Sequence, residues 1–292
     1  MTILEGLLLG VLQGLTEFLP ISSSGHLALA EYLFGVESPG VSFEVFVHFG
    51  TALAVIVFFR KRIWAIVVAV VRWIVRKEYE RRDARLAWYL LLGTVPAAVL
   101  GYLLADRVAA AFERPVLVSA LLIVTGFILW ATRNLPEGTG GGATSGRALL
   151  IGLAQAAAIL PGISRSGATI AAGLRLKLRR AEAAEFAFLL SVPIILGATA
   201  ASFIEMSVVG GVDAALAAVN ATAAMASGSL PGPLPTPVPT SAIVAGTVAA
   251  FVCAIPAISV LLRAVTIGKL HRFAYYCWVV GAVGVIAFLV RG

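Results

Sequence analysis

The sequence predicts an all-α polytopic membrane protein, and three observations carry that prediction. Of 292 residues, 60% are hydrophobic and 13% charged, where a soluble domain carries about a quarter charged. Mean hydropathy is +0.98. The apolar residues fall in long runs nearly free of charge, and ~18–20 such residues cross the hydrocarbon core as a helix. Basic residues gather between the runs, as in Arg60-Lys61-Arg62 and in segments 76–85, 177–180 and 263–272. That is the pattern of cytoplasmic loops. The formal charge of +7 is therefore a topology signal, and nucleic acid is excluded as a partner.

Taken in order, residues 4–19 form an apolar helix that meets Pro20. No charged n-region and cleavage site precede it, so it belongs to the mature protein. A polar knot follows, Ser22-Ser23-Ser24-Gly25-His26, and then a short apolar piece to Phe34. Full spans are expected at about 43–59, 86–105 and 116–131. Segment 63–75, apolar but carrying Arg72, reads as a short cytoplasm-side or interfacial helix. The Gly-rich stretch 134–146 is a hinge.

The chain then starts again. Residues 148–160 are apolar, followed by Pro161-Gly162-Ile163-Ser164-Arg165-Ser166-Gly167 and a short piece to Leu176. Spans are expected at about 186–203, 242–262 and 273–290. Segment 205–240 is rich in Ala, Gly, Ser and Pro and has no Lys or Arg, which suits an outer loop. Cys253 and Cys277 lie in apolar runs without metal-ligand or redox spacing, so both read as packing residues.

The two knots share Leu-Pro, Ile-Ser and Ser-Gly once one glycine is inserted. Gln13 and Gln155 precede them at similar spacing, and Phe43-Glu44-Val45-Phe46 is echoed by Glu185-Phe186-Ala187-Phe188. This is an internal repeat, with one copy over 1–133 and the other over 147–292. The helices flanking each knot are too short to span, since thirteen residues reach about 20 Å against a core of about 30 Å. Two half-helices joined by a polar turn make a re-entrant hairpin, tolerated where protein or a wet cavity surrounds it. With the basic loops inside, the first hairpin enters from outside and the second from inside. The expected architecture is thus about six full spans plus two hairpins, as inverted copies meeting near the midplane.

The polar residues of the knots form one constellation. Gln13 and Glu17 share a helix face within an apolar run. A carboxylate there is costly and is a functional candidate, or else it caps the serine knot. Ser22, Ser23 and Ser24 stand where a helix begins, and the free N–H groups at such a start form an anion site. Gly25 lets backbone approach a ligand. His26 offers a nucleophile, a general acid or base, or a satisfied polar residue. Arg165 needs an anionic partner, either phosphate oxygens gripped bidentately or Glu17 or Glu44 in an ion pair. Ser164, Ser166, Gly167 and Thr169 surround the second helix start. His48 is expected to line the same cavity, Glu44 and Glu185 to brace the hairpins, and His271 to be solvated. This set suits a phosphoester, and the lack of a Gly-x-x-x-x-Gly-Lys loop argues against a nucleotide-driven kinase or pump.

Gln13-Gly-Leu-Thr-Glu17-Phe-Leu-Pro-Ile-Ser-Ser-Ser-Gly-His26 and Pro161-Gly-Ile-Ser-Arg-Ser-Gly-Ala-Thr169 resemble the two signatures of the undecaprenyl-diphosphatase family of the bacitracin-resistance type. The resemblance runs from about residue 4 to the C-terminus. It implies hydrolysis of a polyprenyl diphosphate lipid to the monophosphate in the plasma membrane, with the site open to the outer face. It implies a divalent cation, Mg²⁺ or Ca²⁺, with Glu17 as metal ligand and Gln13 near the phosphates. Chemistry falls to Ser23, His26 or an activated water, and the diphosphate to Arg165. Many members carry glutamate where this chain has Gln13, so residue 13 is a doubtful metal ligand. Lipid phosphatases of the acid-phosphatase type also use Ser-Gly-His and Ser-Arg, but the His they need six residues past the Arg is Ala171 here. A transporter or flippase of an anionic lipid is the alternative from a different class, and a homo-oligomer is compatible with the sequence.

Overall fold

A computed structural model describes residues 1–34, 40–201, 204 and 238–291, and among them every regular element is helical. In order these are α1 (Ile3–Phe18), α2 (Ser23–Phe34), α3 (Gly40–Phe58), α4 (Arg60–Ile74), α5 (Arg81–Leu103), α6 (Ala105–Phe112), α7 (Pro115–Trp130), α8 (Ser145–Ala157) and α9 (Arg165–Arg175). They continue with α10 (Arg180–Ala201), α11 (Thr240–Thr266), a 3-10 turn (Leu270–Arg272) and α12 (Phe273–Arg291). The expected loop at 205–240 lies, up to residue 237, outside the described residues.

Local chemistry sets the boundaries. The Thr2 hydroxyl accepts the Glu5 amide while the Glu5 carboxylate takes the Thr2 amide, a capping box that opens α1. Pro20 then follows its last turn. Thr144 caps α8 and Ser164 caps α9, each accepting an amide three residues on. Pro115 stands at the start of α7, where its missing N–H costs nothing.

Four of these helices are long and apolar enough to cross a membrane: α5, α10, α11 and the stretch Leu270–Val290. A fifth span arises if α6 and α7, bent by 99° at their junction, are counted together. Valines at 244, 248 and 252 of α11 and at 279 and 283 of α12 stay exposed at near-helical spacing. Stripes of this kind belong against lipid, so the chain is a polytopic membrane protein. On α4, Ile66 and Ala69 are buried while Trp64 and Trp73 are exposed, so one face of the helix packs on the protein. The four helices beside the knots have 16, 12, 13 and 11 residues. At ~1.5 Å per residue they reach about 17–24 Å, short of a ~30 Å core.

Small residues hold these short helices against long ones. Gly6, Gly10 and Gly14 of α1 rest on Ala242, Gly246 and Ala250 of α11, in the same order, so the two helices run parallel with their backbones touching. A methyl group added at Gly10 would lie 2.1 Å from the Gly246 carbonyl oxygen. In lipid, where hydrophobicity does not drive helices together, this closeness is what gives them contact. On the other side, α8 packs on α5 with Gly152 against the Gly93 backbone. α3 also packs on α11, and α7 on α12.

Gly10→Leu is therefore expected to destabilise the fold by about 1–3 kcal/mol or more, read as a lower unfolding midpoint in detergent. Gly146→Ala, where an added methyl meets nothing within 4 Å, should leave that midpoint unchanged. Equal behaviour of the two variants would overturn the close α1–α11 contact.

Candidate active site

The two knots meet, and they meet at Glu17. This residue sits in the last turn of α1 with its side chain 4% exposed. One carboxylate oxygen accepts from the Arg165 guanidinium. The other accepts the Gln13 amide at 2.9 Å and the Ser23 hydroxyl at 2.5 Å, and His48 Nε2 stands 3.7 Å from it. Ser23 and Arg165 are the first residues of α2 and α9. Each short helix thus points its leading side chain at the same carboxylate.

Three further side chains fasten the knots around this pair. The Ser22 hydroxyl caps α2 by accepting the Gly25 amide at 3.3 Å, and it also accepts the Gly162 amide of the second knot at 3.1 Å. To do so Ser22 adopts φ +69°, a conformation that costs a non-glycine residue of order 1 kcal/mol and persists where surroundings impose it. The Ser166 hydroxyl donates to the Leu19 carbonyl at 3.3 Å. Thr125 on α7 is the third fastening: its hydroxyl donates to the Gly162 carbonyl at 2.8 Å and accepts the Ser164 amide at 3.0 Å. Gly162 has φ +100°, and Gly25 lies so close that an added methyl would fall 3.1 Å from the Gly162 Cα. Glycine is required at that crossing.

The remaining predicted residues divide into caps and cleft. Ser164 caps α9 by accepting the Gly167 amide at 3.1 Å, and its hydroxyl lies 3.2 Å from that of Ser166. Ser24 stands in the same relation to Ser22, at 3.4 Å. The Thr169 hydroxyl turns back to the Arg165 carbonyl at 2.8 Å. Among the described residues, the backbone N–H groups of Ser23, Ser24, Arg165 and Ser166 have no protein acceptor. A narrow cleft between α9 and α10 opens onto Glu17 and Arg165, with Ser166, Thr169, Phe188 and Ser191 on its walls.

His26 is turned elsewhere. Its Nδ1 lies 2.8 Å from the Ser22 carbonyl, a pure acceptor, so Nδ1 carries a proton. In the neutral ring Nε2 then accepts from the Tyr276 hydroxyl of α12 at 2.8 Å, and the two rings stack at an interplanar angle of 12°. Both ring nitrogens are engaged.

His48 does line the site as expected. Its Nδ1 faces the Glu44 carbonyl at 2.8 Å, which aims Nε2 toward Glu17. Glu185 braces α10 against α4 and α5 by an ion pair to Arg62, which also holds Asp83, both at 2.6 Å. The Glu44 carboxylate makes no such contact among the described residues. His271 is only partly exposed rather than fully solvated: it packs edge-on against Trp130 at 6.2 Å, and its Nδ1 is buried. Thr125 and Tyr276 were not singled out by the sequence, because each acts through contacts far along the chain and lies in an apolar run; Ser191 was missed because its hydroxyl only turns back to the Phe188 carbonyl and it reaches the cleft wall through the fold.

A divalent cation held by the protein alone does not fit this donor set. Glu17 is the single carboxylate of the site, and both its oxygens already face N–H or O–H donors. Its neighbour Gln13 supplies only a neutral amide oxygen, buried without a partner. No group of three or more His, Cys, Asp and Glu suitable for a metal occurs among the described residues. Mg²⁺ in particular is bound through carboxylates plus substrate phosphates.

Known proteins resemble the chain over most of its length. The family model described as bacitracin resistance protein BacA matches residues 6–283. The undecaprenyl-diphosphatase of Desulfosudis oleivorans is 42% identical over 290 residues, covering 96% of each chain. That of Desulforapulum autotrophicum is 40% identical over 302 aligned positions, 98% of this chain and 99% of the relative. That of Rubrobacter xylanophilus is 46% identical over 201 residues, 67% and 74% of the two chains.

The ion pair sets a clear stability test. Arg165→Met leaves the Glu17 carboxylate buried and unpaired, which costs about 3–5 kcal/mol. Adding Glu17→Gln removes the stranded charge, so the double variant should recover most of that loss in SDS-induced unfolding. Losses that simply add would show that the two side chains do not depend on each other.

Proposed function

Since the chain belongs to the bacitracin resistance protein BacA family, we propose that it is an undecaprenyl-diphosphatase. It hydrolyses undecaprenyl diphosphate to the monophosphate and inorganic phosphate, which returns the lipid carrier to cell-envelope polysaccharide synthesis. The observation that carries this reading is the convergence of two helix N-termini, with four unengaged amides, on one Arg165–Glu17–Ser23 centre. Helix starts and a guanidinium make an oxyanion-binding concavity. A hydroxyl already bonded to a carboxylate is an activated nucleophile.

The chemistry follows from those contacts. Glu17 takes the proton of Ser23 as the Ser23 oxygen bonds to the terminal phosphorus and the bridging P–O bond breaks, releasing the lipid monophosphate. Water then delivers OH to the phosphorus, a proton returns to the Ser23 oxygen, and phosphate leaves. Arg165 and the free amides of α2 and α9 hold the charge that spreads over the phosphoryl oxygens. His26 helps fix the start of α2 through Nδ1, and it joins in proton transfer when Nε2 exchanges the Tyr276 hydroxyl for substrate or water. A Mg²⁺ or Ca²⁺ would come bound to the diphosphate, where its chemistry is to neutralise phosphate charge.

The same reading takes α1–α2 and α8–α9 as the re-entrant hairpins of two inverted repeats, with α3, α5, α7, α10, α11 and α12 as spans. Supporting it, α1 packs on α11 as α8 packs on α5, and α7 pairs with α12 across the halves. With the basic loops taken as cytoplasmic, their distribution supports a site open to the outer side of the plasma membrane.

The test is phosphate release from a long-chain polyprenyl diphosphate by purified protein in detergent. Ser23→Ala and Arg165→Ala should each lower the rate by at least ~100-fold. Label from the terminal phosphate should be trapped on the wild-type protein and not on Ser23→Ala. Loss of release with an unlabelled wild type would shift attack to an activated water. No release in any divalent cation would make transport of the lipid the leading reading.

EDTA should abolish release, whereas Mg²⁺ added without lipid should leave the unfolding midpoint unmoved. A midpoint that rises with Mg²⁺ alone would reveal a cation site built by the protein.

A further inference from the structure

A second cavity, of about 620 Å³, lies between the first turns of α5 and α10 and the hinge glycines. It is separate from the catalytic cleft. On α10 it is lined by Glu182, Glu185, Phe186 and Leu189, whereas the cleft uses Ala187, Phe188 and Ser191. At 100° per residue these are opposite faces of one helix. The cavity also sits at a defined depth. Arg81 begins α5 and Arg179 immediately precedes α10, and both helices are apolar enough to cross the membrane. The first turn of such a span stands at headgroup level.

The lining changes character from rim to floor. Leu86, Phe186 and Leu189 face the deep end, against the buried side chains of Leu90 and Leu190. Arginines form the rim, and most are already matched. Arg62 holds Asp83 and Glu185, and Glu182 is shared by Arg179 at 2.6 Å and Arg82 at 3.9 Å. The Glu80 carboxylate caps the Arg82 amide. Arg81 and Arg85 are different: one turn apart on α5 and both exposed, they make no ion pair or side-chain hydrogen bond among the described residues. Opposite them, Gly141 and Gly142 have φ +89° and +69°, and a methyl group on Gly142 would meet nothing within 4 Å. A glycine run in left-handed conformation leaves its N–H groups accessible to an anion.

We propose that this cavity binds an acidic glycerophospholipid, its phosphate held by Arg81 and Arg85 beside the glycine loop and the start of its chains against the half-buried Leu86 and Tyr89. Unmatched cations above an apolar floor select a molecule that is anionic at one end and greasy at the other. A soluble anion would use only the rim, and a zwitterionic lipid would gain less from two unmatched guanidinium groups. The site stabilises the junction of α5, α10 and the hinge, and it is independent of the reaction proposed above.

The experiment uses the full-length protein in neutral maltoside micelles, with unfolding followed against added phosphatidylglycerol, phosphatidylcholine, glycerol 3-phosphate or inorganic phosphate. Phosphatidylglycerol should raise the midpoint above phosphatidylcholine by several degrees. Arg81→Gln/Arg85→Gln should lose at least half of that difference while matching the wild type in lipid-free micelles and in phosphate release. Native mass spectrometry should show several-fold fewer retained phosphatidylglycerol adducts on the variant. Equal stabilisation of both proteins by phosphatidylglycerol would overturn the site. So would the absence of any preference over phosphatidylcholine. A full shift produced by glycerol 3-phosphate or inorganic phosphate would replace the lipid with a simple anion.

Discussion

The structure turns on one buried charge pair. Glu17 belongs to the first knot and Arg165 to the second, 148 residues apart in sequence. Neither charge would be tolerable alone at that depth, since an isolated ion in low-dielectric surroundings carries a desolvation penalty of several kcal/mol. Their pairing therefore fixes how the two knots approach. Once it is made, Ser23 falls within 2.5 Å of the same carboxylate, and the starts of α2 and α9 converge. Positioning of the hydroxyl, the guanidinium and the free amides is one event.

That event demands irregular backbone among short helices, where every polar group needs a protein partner. Ser22, Thr125 and Ser166 supply those partners, each joining segments distant in sequence. The glycines make the same arrangement possible from outside. With Gly6, Gly10 and Gly14 flush against α11, α1 is seated along a long helix although it is too short to span. Its last turn is then carried to a depth that its own length could not define.

Much of this was legible in the sequence, and the reasons differ by element. The knots announce themselves because Leu-Pro, Ile-Ser and Ser-Gly recur in an apolar setting where polar runs are rare. Glu17 and Arg165 stand out because a charge among apolar residues is costly and so implies a partner. The four-residue spacing of Gly6, Gly10 and Gly14 was also visible, a small-residue face that predicts close helix contact, though not against which helix. Thr125 and Tyr276 were not legible. Each is one polar atom in an apolar run, meaningful only through the Gly162 and His26 contacts that the fold creates. His271 failed in the opposite direction: its basic neighbours suggested water, and Trp130 covers part of it instead. Glu44 shares a repeat position with Glu185, but Glu185 finds Arg62 of α4, whereas the Glu44 carboxylate makes no ion pair among the described residues.

The near-symmetry of the knots explains where the chemistry can reside. Aligned through Ile-Ser and Ser-Gly, Ser22 matches Ser164, Ser24 matches Ser166, and the two serine pairs lie 3.4 and 3.2 Å apart. The first serine of each pair, Ser22 and Ser164, caps its helix in both halves. The residues that differ are those that meet at the centre: Ser23 stands opposite Arg165, and Glu17 falls where the second half, counted from Gln155, has Ile159. Two identical knots would bring together either two cations or two hydroxyls, and either two carboxylates or none. Breaking the symmetry at those positions leaves one carboxylate, one guanidinium and one hydroxyl at the crossing. Gln13 completes the logic. Its amide donates to Glu17 at 2.9 Å, where a second carboxylate would repel the first. Among the described residues Arg165 is then the one strong cation at Glu17, and with Gln13 in place of a second carboxylate the charge at the crossing is balanced within one pair.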